Sequence, residues 1–269
     1  MHRISLFCPM PGISVITICF NNLSDVQRTC ASVDAQSRLP EEHWIINGST
    51  TKEIEDWLNT TGQPAYRKWL NEPDRGISDA FGKGISRAAG PIIHLLNSGD
   101  TYASEDVLET VDHFFESNPA VQWISGNIRL MRGGQSVVVG KPFEKSKLYR
   151  GMRSVSHPTW FVRKEVYDRV GMFNSEYKIA MDYDLMCRLA DEPYGYLDKT
   201  IAVFDDAGIS SSQYLRSLEE NKKVYESYFG TSVLLRLWQW RLKTLHWLLK
   251  TPFGKWLFAV KKKAGLENW

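Results

Sequence analysis

Three short stretches bring together residue types that can do chemistry. "NEPDRGISDAFGKGI" (71–85) combines the carboxylates Asp74 and Asp79 with Arg75, Lys83 and three glycines. "NSGD" (97–100) ends an apolar run abruptly on Asn97, Ser98, Gly99 and Asp100. "AMDYDL" (180–185) sets Asp182 and Asp184 two positions apart. Carboxylates hold hard divalent cations, Lys and Arg meet phosphate oxygens, and a carboxylate within reach of a hydroxyl can take its proton. Each stretch also has a plain reading. "NSGD" could be an exposed turn, the charges of 71–85 a solvated helix start, and Asp182 a helix cap.

The elements around these stretches favour a site. "ISVITICF" (13–20) is a continuous β-branched, apolar run, which suits a strand buried on both faces. A helix follows, with Ser24 as its cap and Val26, Cys30 and Val33 at helical spacing. "HWIING" (43–48) reads as a second strand. "TTKEIEDWLNTTG" reads as a helix with Thr50 or Thr51 near its cap and Gly62 as its stop. "YRKWLNE" is a third strand, 76–90 a helix with Gly90 at C′, and "PIIHLL" (91–96) a fourth strand in which His94 is a core residue. This alternation predicts a parallel sheet covered on both faces, and ligands of such sheets bind beyond the carboxyl ends of the strands. Asn21, Asn47, Glu72 and "NSGD" all fall there.

Beyond residue 100 the pattern is mixed. A helix over "SEDVLETVDHFFESNP" precedes two strands, "VQWISGNIRL" and "QSVVVGK", joined around Gly133-Gly134. "TWFVRKEVYDRVG" reads as strand then helix, "AMDYDLMCRLADE" as helix and "GYLDKTIAVF" as strand. This half is expected to extend the same sheet.

With 269 residues, 43% hydrophobic and 24% charged, the chain is globular in composition. "MHRISLFCPMPG" is too short and too Pro-interrupted for a signal peptide, and no run of 18 apolar residues exists to span a membrane. Cys8, Cys19, Cys30 and Cys187 are scattered and are expected to be reduced thiols in a cytosolic protein, with no zinc site. The net charge of +2 hides an asymmetry: residues 1–227 carry 25 basic and 30 acidic residues, and residues 228–269 carry 8 basic residues and only Glu267. Such a tail suits an anionic surface.

Taken together and in order, "SVITICFNN", "INGST", "EPDRGISDAFGKGI" and "LLNSGD" resemble the nucleotide-sugar-binding half of family 2 glycosyltransferases. The closest likeness is to the branch that builds bacterial exopolysaccharide and O-antigen units. "SHPTWFVRKEVYDRVGMFNSEYKIAMDYDLMCRLA" (156–190) resembles the acceptor half. The resemblance implies the GT-A fold: a Rossmann-like, mixed, mostly parallel α/β sheet flanked by helices. The domain would span 1–227, with about 13–100 binding the nucleotide sugar and about 101–210 the acceptor, followed by a C-terminal helical extension, 228–269.

The same resemblance assigns roles. In that family the fourth strand ends in an Asp-x-Asp-like motif whose last acid binds Mn²⁺ or Mg²⁺. Here Asn97 replaces the first acid, so Asp100 is the implied metal ligand. The family loop Asp-Gly-Gly-Ser-Thr-Asp reads "NGSTT", which puts Asn47 where a base-reading acid is common. Asn21, Asn47, Asp74, Arg75, Asp79, Lys83, Asn97 and Ser98 are implied on the donor side. Asp182 maps to the general base of an inverting transfer, and His157 and Asp184 to the acceptor or diphosphate side.

The donor would be a UDP- or GDP-sugar, and the acceptor a saccharide or a lipid-linked one. No nucleic-acid partner is expected, and a homo-oligomer is left open. Two rivals stand beside this reading. A sugar-phosphate nucleotidyltransferase would carry a Gly-rich basic loop after the first strand, where this chain reads "CFNNLSD"; a degenerate carbohydrate- or nucleotide-binding scaffold would fit the missing acids at 47 and 97.

The tail forms an amphipathic helix over 234–250 on a helical wheel. Leu234, Leu235, Leu237, Trp238, Leu242, Leu245, Leu248 and Leu249 share one face, and Arg236, Gln239, Lys243, His246 and Lys250 the other. Trp240 and Trp247 lie at the border and Arg241 on the apolar side. Core packing would give the same leucine stripe. The border tryptophans and the cations favour residues 231–263 as a contact with an anionic membrane, at the inner face of the plasma membrane.

Overall fold

The computed structural model describes residues 12–132, 135–153, 155–205, 213–254, 256 and 260. The first half alternates strand and helix: β1 (Ile13–Cys19), α1 (Leu23–Asp34), β2 (Glu42–Asn47), α2 (Glu53–Thr60), β3 (Arg67–Asn71), α3 (Ile77–Arg87) and β4 (Ile92–Leu95). The order β3-β2-β1-β4 is parallel throughout. β1 is buried on both faces, with Ile16 packed on Phe81 and Ile85 of α3, and Ile13 and Val15 in a second cluster with Val33 of α1. α3 keeps its glycines for close approach: a Cβ on Gly84 would stand 2.4 Å from Ile16 Cγ2.

The second half extends the same sheet, as the sequence suggests. It contains β5 (Thr101–Tyr102), α4 (Val107–Ser117), β6 (Trp123–Arg132), β7 (Gln135–Val139), β8 (Phe161–Arg163), α5 (Lys164–Val170), α6 (Met181–Arg188) and β9 (Tyr194–Asp205). β8 joins β4 antiparallel, and the order continues β6-β9-β5, with β7 hairpinned onto β6. Gly133 and Gly134, between β6 and β7, lie outside the described residues, as does Cys8. Helices α7 (Tyr214–Phe229) and α8 (Val233–Lys250) close the chain. Among the described residues no helix is long and apolar enough to cross a membrane.

Several local expectations need correction. α1 starts at Leu23, not after Ser24, with Asn22 at the N-cap position and no side-chain cap bond. The Asn22 amide is used elsewhere: it donates to Ser98 Oγ at 2.7 Å, joining the β1 and β4 ends. The N-cap position of α2 is Lys52, beside Thr51 as expected, with no side-chain cap bond; the Thr50 and Thr51 hydroxyls and N–H groups donate to Asn21 Oδ1 instead. α3 ends at Arg87 and Ala88 is extended, so Gly90 is not a C′ residue; it instead packs against Ser14 of β1.

The wheel also misplaced one face of α8. Gln239, assigned to the polar side, is buried and donates to the Leu218 carbonyl at 2.6 Å. Beside it Leu235 is buried and Trp238 half-buried, whereas Leu237 and Trp240 are 58% and 69% exposed. One edge of α8 therefore docks on α7, and a different set of apolar side chains faces outward.

His94 is a core residue as expected, fully buried, bonded to Tyr102 Oη and the Pro158 carbonyl and stacked on Phe161. Cys19, Cys30 and Cys187 are buried free thiols, and burial pushes Cys19 and Cys187 up to about 12.

Candidate active site

The "NSGD" turn begins where β4 leaves the centre of the sheet. The Ser98 N–H donates to the Ile18 carbonyl, and the Asp100 N–H turns back to the Asn97 carbonyl at 3.0 Å. Gly99 takes φ +101, a region that L side chains rarely adopt. Thr29 of α1 locks the turn from behind, accepting from the Gly99 N–H and donating to the Asp100 carbonyl. The Asp100 carboxylate is 3% exposed, and its Oδ2 has no hydrogen-bond partner; Asn97 Oδ1 is likewise buried and unpartnered. Burial pushes the Asp100 carboxyl up to about 7, although nearby Arg28 pulls the other way. Two orphaned acceptor oxygens three residues apart would be costly without a partner.

The facing wall comes from the second half. His157 is buried among Phe81, Trp160 and Phe173, with ring centroids 5.2–5.6 Å away. Its Nδ1 lies 3.9 Å from Asp182 Oδ2. Asp182 lies in the first turn of α6, whose N-cap position is Ala180, so Asp182 does not cap that helix. Burial raises the Asp182 carboxyl above the ordinary range, and His157 opposes that rise. A cavity of about 590 Å³ is lined by Asn97, Ser98, Asp100, His157 and Asp182 together.

The remaining sequence-selected residues lie elsewhere. Asn21, in the left-handed region at φ +51, ties the β1 and β2 loops through Thr50 and Thr51. Asn47 donates to Asn71 Oδ1 at 2.9 Å and accepts from the Ser49 N–H. Asp74 accepts from the Gly76 N–H beside Gly48, on the same rim. Arg75, Asp79 and Lys83 form a clasp: Asp79 accepts from the Arg75 N–H, and the Lys83 ammonium meets Glu72, Asp79 and the Pro73 carbonyl. That clasp shapes the 71–83 loop and does not line the cavity. Asp184 turns away as well. Its Oδ2 accepts from Arg188 at 2.7 Å and its Oδ1 from Tyr228 Oη at 2.9 Å, so both oxygens are used.

The geometry therefore pairs an acidic turn at a parallel strand end with a carboxylate–histidine pair across one cavity. The sequence profile of Glycosyl transferase family 2 matches residues 14–171, which covers both walls up to α5. This chain belongs to glycosyltransferase family 2. Among the relatives of this glycosyltransferase is the uncharacterized glycosyltransferase Rv1514c of Mycobacterium tuberculosis, 32% identical over 75% of this chain and 78% of that protein. The PGL/p-HBAD biosynthesis glycosyltransferase Rv2957 of the same species is 23% identical over 74% of this chain and 78% of its own length. The mannosyltransferase PcManGT of Pyrobaculum calidifontis, solved with GDP-Man and Mn²⁺, superposes with a TM-score of 0.63. That match covers 96% of this chain and 81% of PcManGT at 14% identity, and so shows the GT-A fold.

The cavity of the glycosyltransferase also holds charges that sequence reasoning missed. Arg28, Arg153 and Lys178 line it. Arg153 adopts φ +46 and stands over the Trp238 ring of α8 at 5.2 Å. Arg28 and Arg153 sit outside the quoted motifs, and Lys178 lies within the 156–190 stretch without being singled out there. The one local signal was the basic, Gly-bounded stretch "YRGMR" ahead of His157.

Proposed function

We propose that this glycosyltransferase is an inverting enzyme that moves a sugar from a nucleoside-diphosphate donor to a saccharide or lipid-linked acceptor at the cytoplasmic face of a membrane. The observation that carries the reading is the shared cavity: Asp182, beside His157, faces the turn of Asn97 and Asp100. In the transfer, the acceptor hydroxyl oxygen forms a bond to the anomeric carbon while that carbon's bond to the diphosphate oxygen breaks. The departing proton goes to the Asp182 carboxylate. His157, buried against aromatic rings, holds its Nδ1 3.9 Å from the Asp182 carboxylate.

The residues fit a divalent cation, since Asp100 Oδ2 and Asn97 Oδ1 are buried acceptors with no protein partner. Asp100, with Asn97 as a carbonyl donor, would hold Mn²⁺ or Mg²⁺, and oxygen ligands suit both. Bound there, the ion supplies positive charge against the leaving diphosphate. Lys178 adds positive charge to the same walls, and Arg28 stands there paired with Asp25. Asn21, Asn47 and Asp74 form the rim on which the nucleoside rests; the PcManGT complex with GDP-Man supports a GDP- or UDP-sugar class of donor. The membrane reading is supported by the outward apolar face of α8.

The test is nucleoside diphosphate release from a panel of UDP- and GDP-sugars with Mn²⁺. Asp182→Asn keeps the shape and removes the proton acceptor, so turnover should fall by roughly 10²–10⁴ with donor binding near normal. Turnover within a few-fold of the parent would place the base elsewhere. Release of pyrophosphate from a nucleoside triphosphate would support the nucleotidyltransferase alternative instead, and donor binding without any turnover the scaffold.

A further inference from the structure

The wall that carries Asp182 is held by an element from another part of the chain. Glu220 lies on α7, forty residues beyond the loop 178–180 that leads into α6. Its Oε2 accepts from three successive backbone N–H groups, those of Lys178, Ile179 and Ala180, at 3.0, 2.8 and 3.0 Å. Its Oε1 accepts from Arg216 Nε at 3.2 Å. The carboxylate is buried, and three converging N–H donors form the kind of concavity that binds an anion. Lys178 and Ile179 line the cavity, and Asp182 follows two residues after Ala180.

We propose that Glu220 is a positioning residue for the transfer reaction, fixing the 178–180 loop so that Asp182 meets the acceptor hydroxyl.

Three features support this over a general packing role. A hydrophobic contact would fix the loop loosely, whereas three directional bonds to one oxygen fix each amide plane. Those donors precede the first turn of α6, so their orientation sets where Asp182 points. Asp184, in the same first turn, is tied to Arg188 and to Tyr228 of α7, so the helix itself has its own anchors and Glu220 holds the loop that leads into it. α8 stands behind this arrangement, since Gln239 and Lys243 bind Leu218 and Glu219 next to Glu220.

The proposal rests on Asp182 as the base, and the experiment separates the two. The full chain, Glu220→Gln, Asp182→Asn and the double variant are assayed with Mn²⁺ and the panel of UDP- and GDP-sugars, together with thermal melting. Glu220→Gln keeps an acceptor oxygen and lowers kcat by about 10- to 100-fold at a donor KM within about twofold, the effect of a small misplacement. On the Asp182→Asn background the same change costs almost nothing more, because both act through one group.

Full turnover in Glu220→Gln alongside a crippled Asp182→Asn overturns the role of Glu220 and leaves the base standing. Full turnover in Asp182→Asn, or an inactive parent across the panel, overturns the reading underneath. Equal losses in kcat and donor KM, or additive losses in the double variant, reduce Glu220 to a structural residue. If Glu220→Gln does not fold, Arg216→Ala loosens only its second oxygen and is expected to lower kcat by roughly two- to fivefold at constant KM; unchanged kcat there overturns the proposal.

Discussion

Asp100 has two properties that pull in opposite directions. Its backbone is fastened at both ends, through Thr29 and the Asn97 turn, while its Oδ2 has no protein partner. A side chain held still with an unmet oxygen is preorganised for a ligand, because no bond must break when the ligand arrives. Asp100→Ala should therefore abolish metal-dependent binding of UDP or GDP and leave the fold intact. Calorimetric titration of nucleoside diphosphate with and without Mn²⁺ checks this, and undiminished Mn²⁺-dependent binding would refute the assignment. Removing a buried, unpaired carboxylate also relieves a desolvation cost, so the melting temperature without metal should hold or rise. The sequence made Asp100, Asn97, His157 and Asp182 legible because they sit in compact strings. Arg153, Lys178 and Glu220 were not legible, since each matters only through a neighbour that folding brings from elsewhere.

At the scale of elements, β4 is the hinge between the parallel and mixed halves, and His94 sits at its centre. Burial lowers His94 to about 3, so it is neutral in the folded protein. The unfolded chain, with an ordinary histidine, binds a proton near 6.5. Between about pH 6.5 and 3 the unfolded state therefore holds more protons, and this residue's contribution to stability falls as pH falls. Carboxyls raised by burial, such as Asp112 at about 6, act in the opposite sense, so the single-residue effect must be read as a difference. His94→Gln should be less stable than the parent at neutral pH. The gap between the two should narrow by up to about 1.4 kcal/mol per pH unit through that window, as followed by urea denaturation at several pH values. A constant gap would mean that His94 does not titrate on unfolding. The strand–helix alternation through β4 was readable because parallel strands buried on both faces give continuous apolar runs. β5 was not, because two residues have no period. The cap of α1 was misread because the position falls on Asn22, whose amide binds across to Ser98 instead of along the helix.

For the whole molecule, the decisive surface is the outward side of α8. Val233, Leu234, Leu237, Trp240 and Trp247 stand exposed there, while Leu235 and Gln239 hold the helix to α7. The wheel found an amphipathic helix and favoured an outward apolar face, but it put Leu235 on that face and Gln239 opposite, whereas both are buried. Only the position of α7 reveals that this glutamine and this leucine face in. Deleting the helix would disturb both sides, so substitutions on the outer side are the cleaner probe. Leu237→Glu with Trp240→Glu should release the protein from anionic liposomes at unchanged melting temperature, as measured by vesicle sedimentation. High salt alone should release it only partly, because the leucines do not depend on charge. Retained vesicle binding would point to another surface, and a dimer that becomes a monomer would assign the face to a second copy.

The strand order has a consequence in time as well as in space. Asp100 directly precedes β5, yet β5 does not pair with β4; Thr101 and Tyr102 pair with Val203 and Ala202 at the far end of the sheet. That contact closes a loop of about a hundred residues, a kind of closure that is slow to form. The β1–β2 and β2–β3 pairings close over fewer than thirty residues, and β1–β4 over 79. During folding the nucleotide-facing half can assemble early, while the acidic turn stays untethered on one side until β9 arrives. Under the proposed role of Asp100, metal binding would then report that the second half has docked.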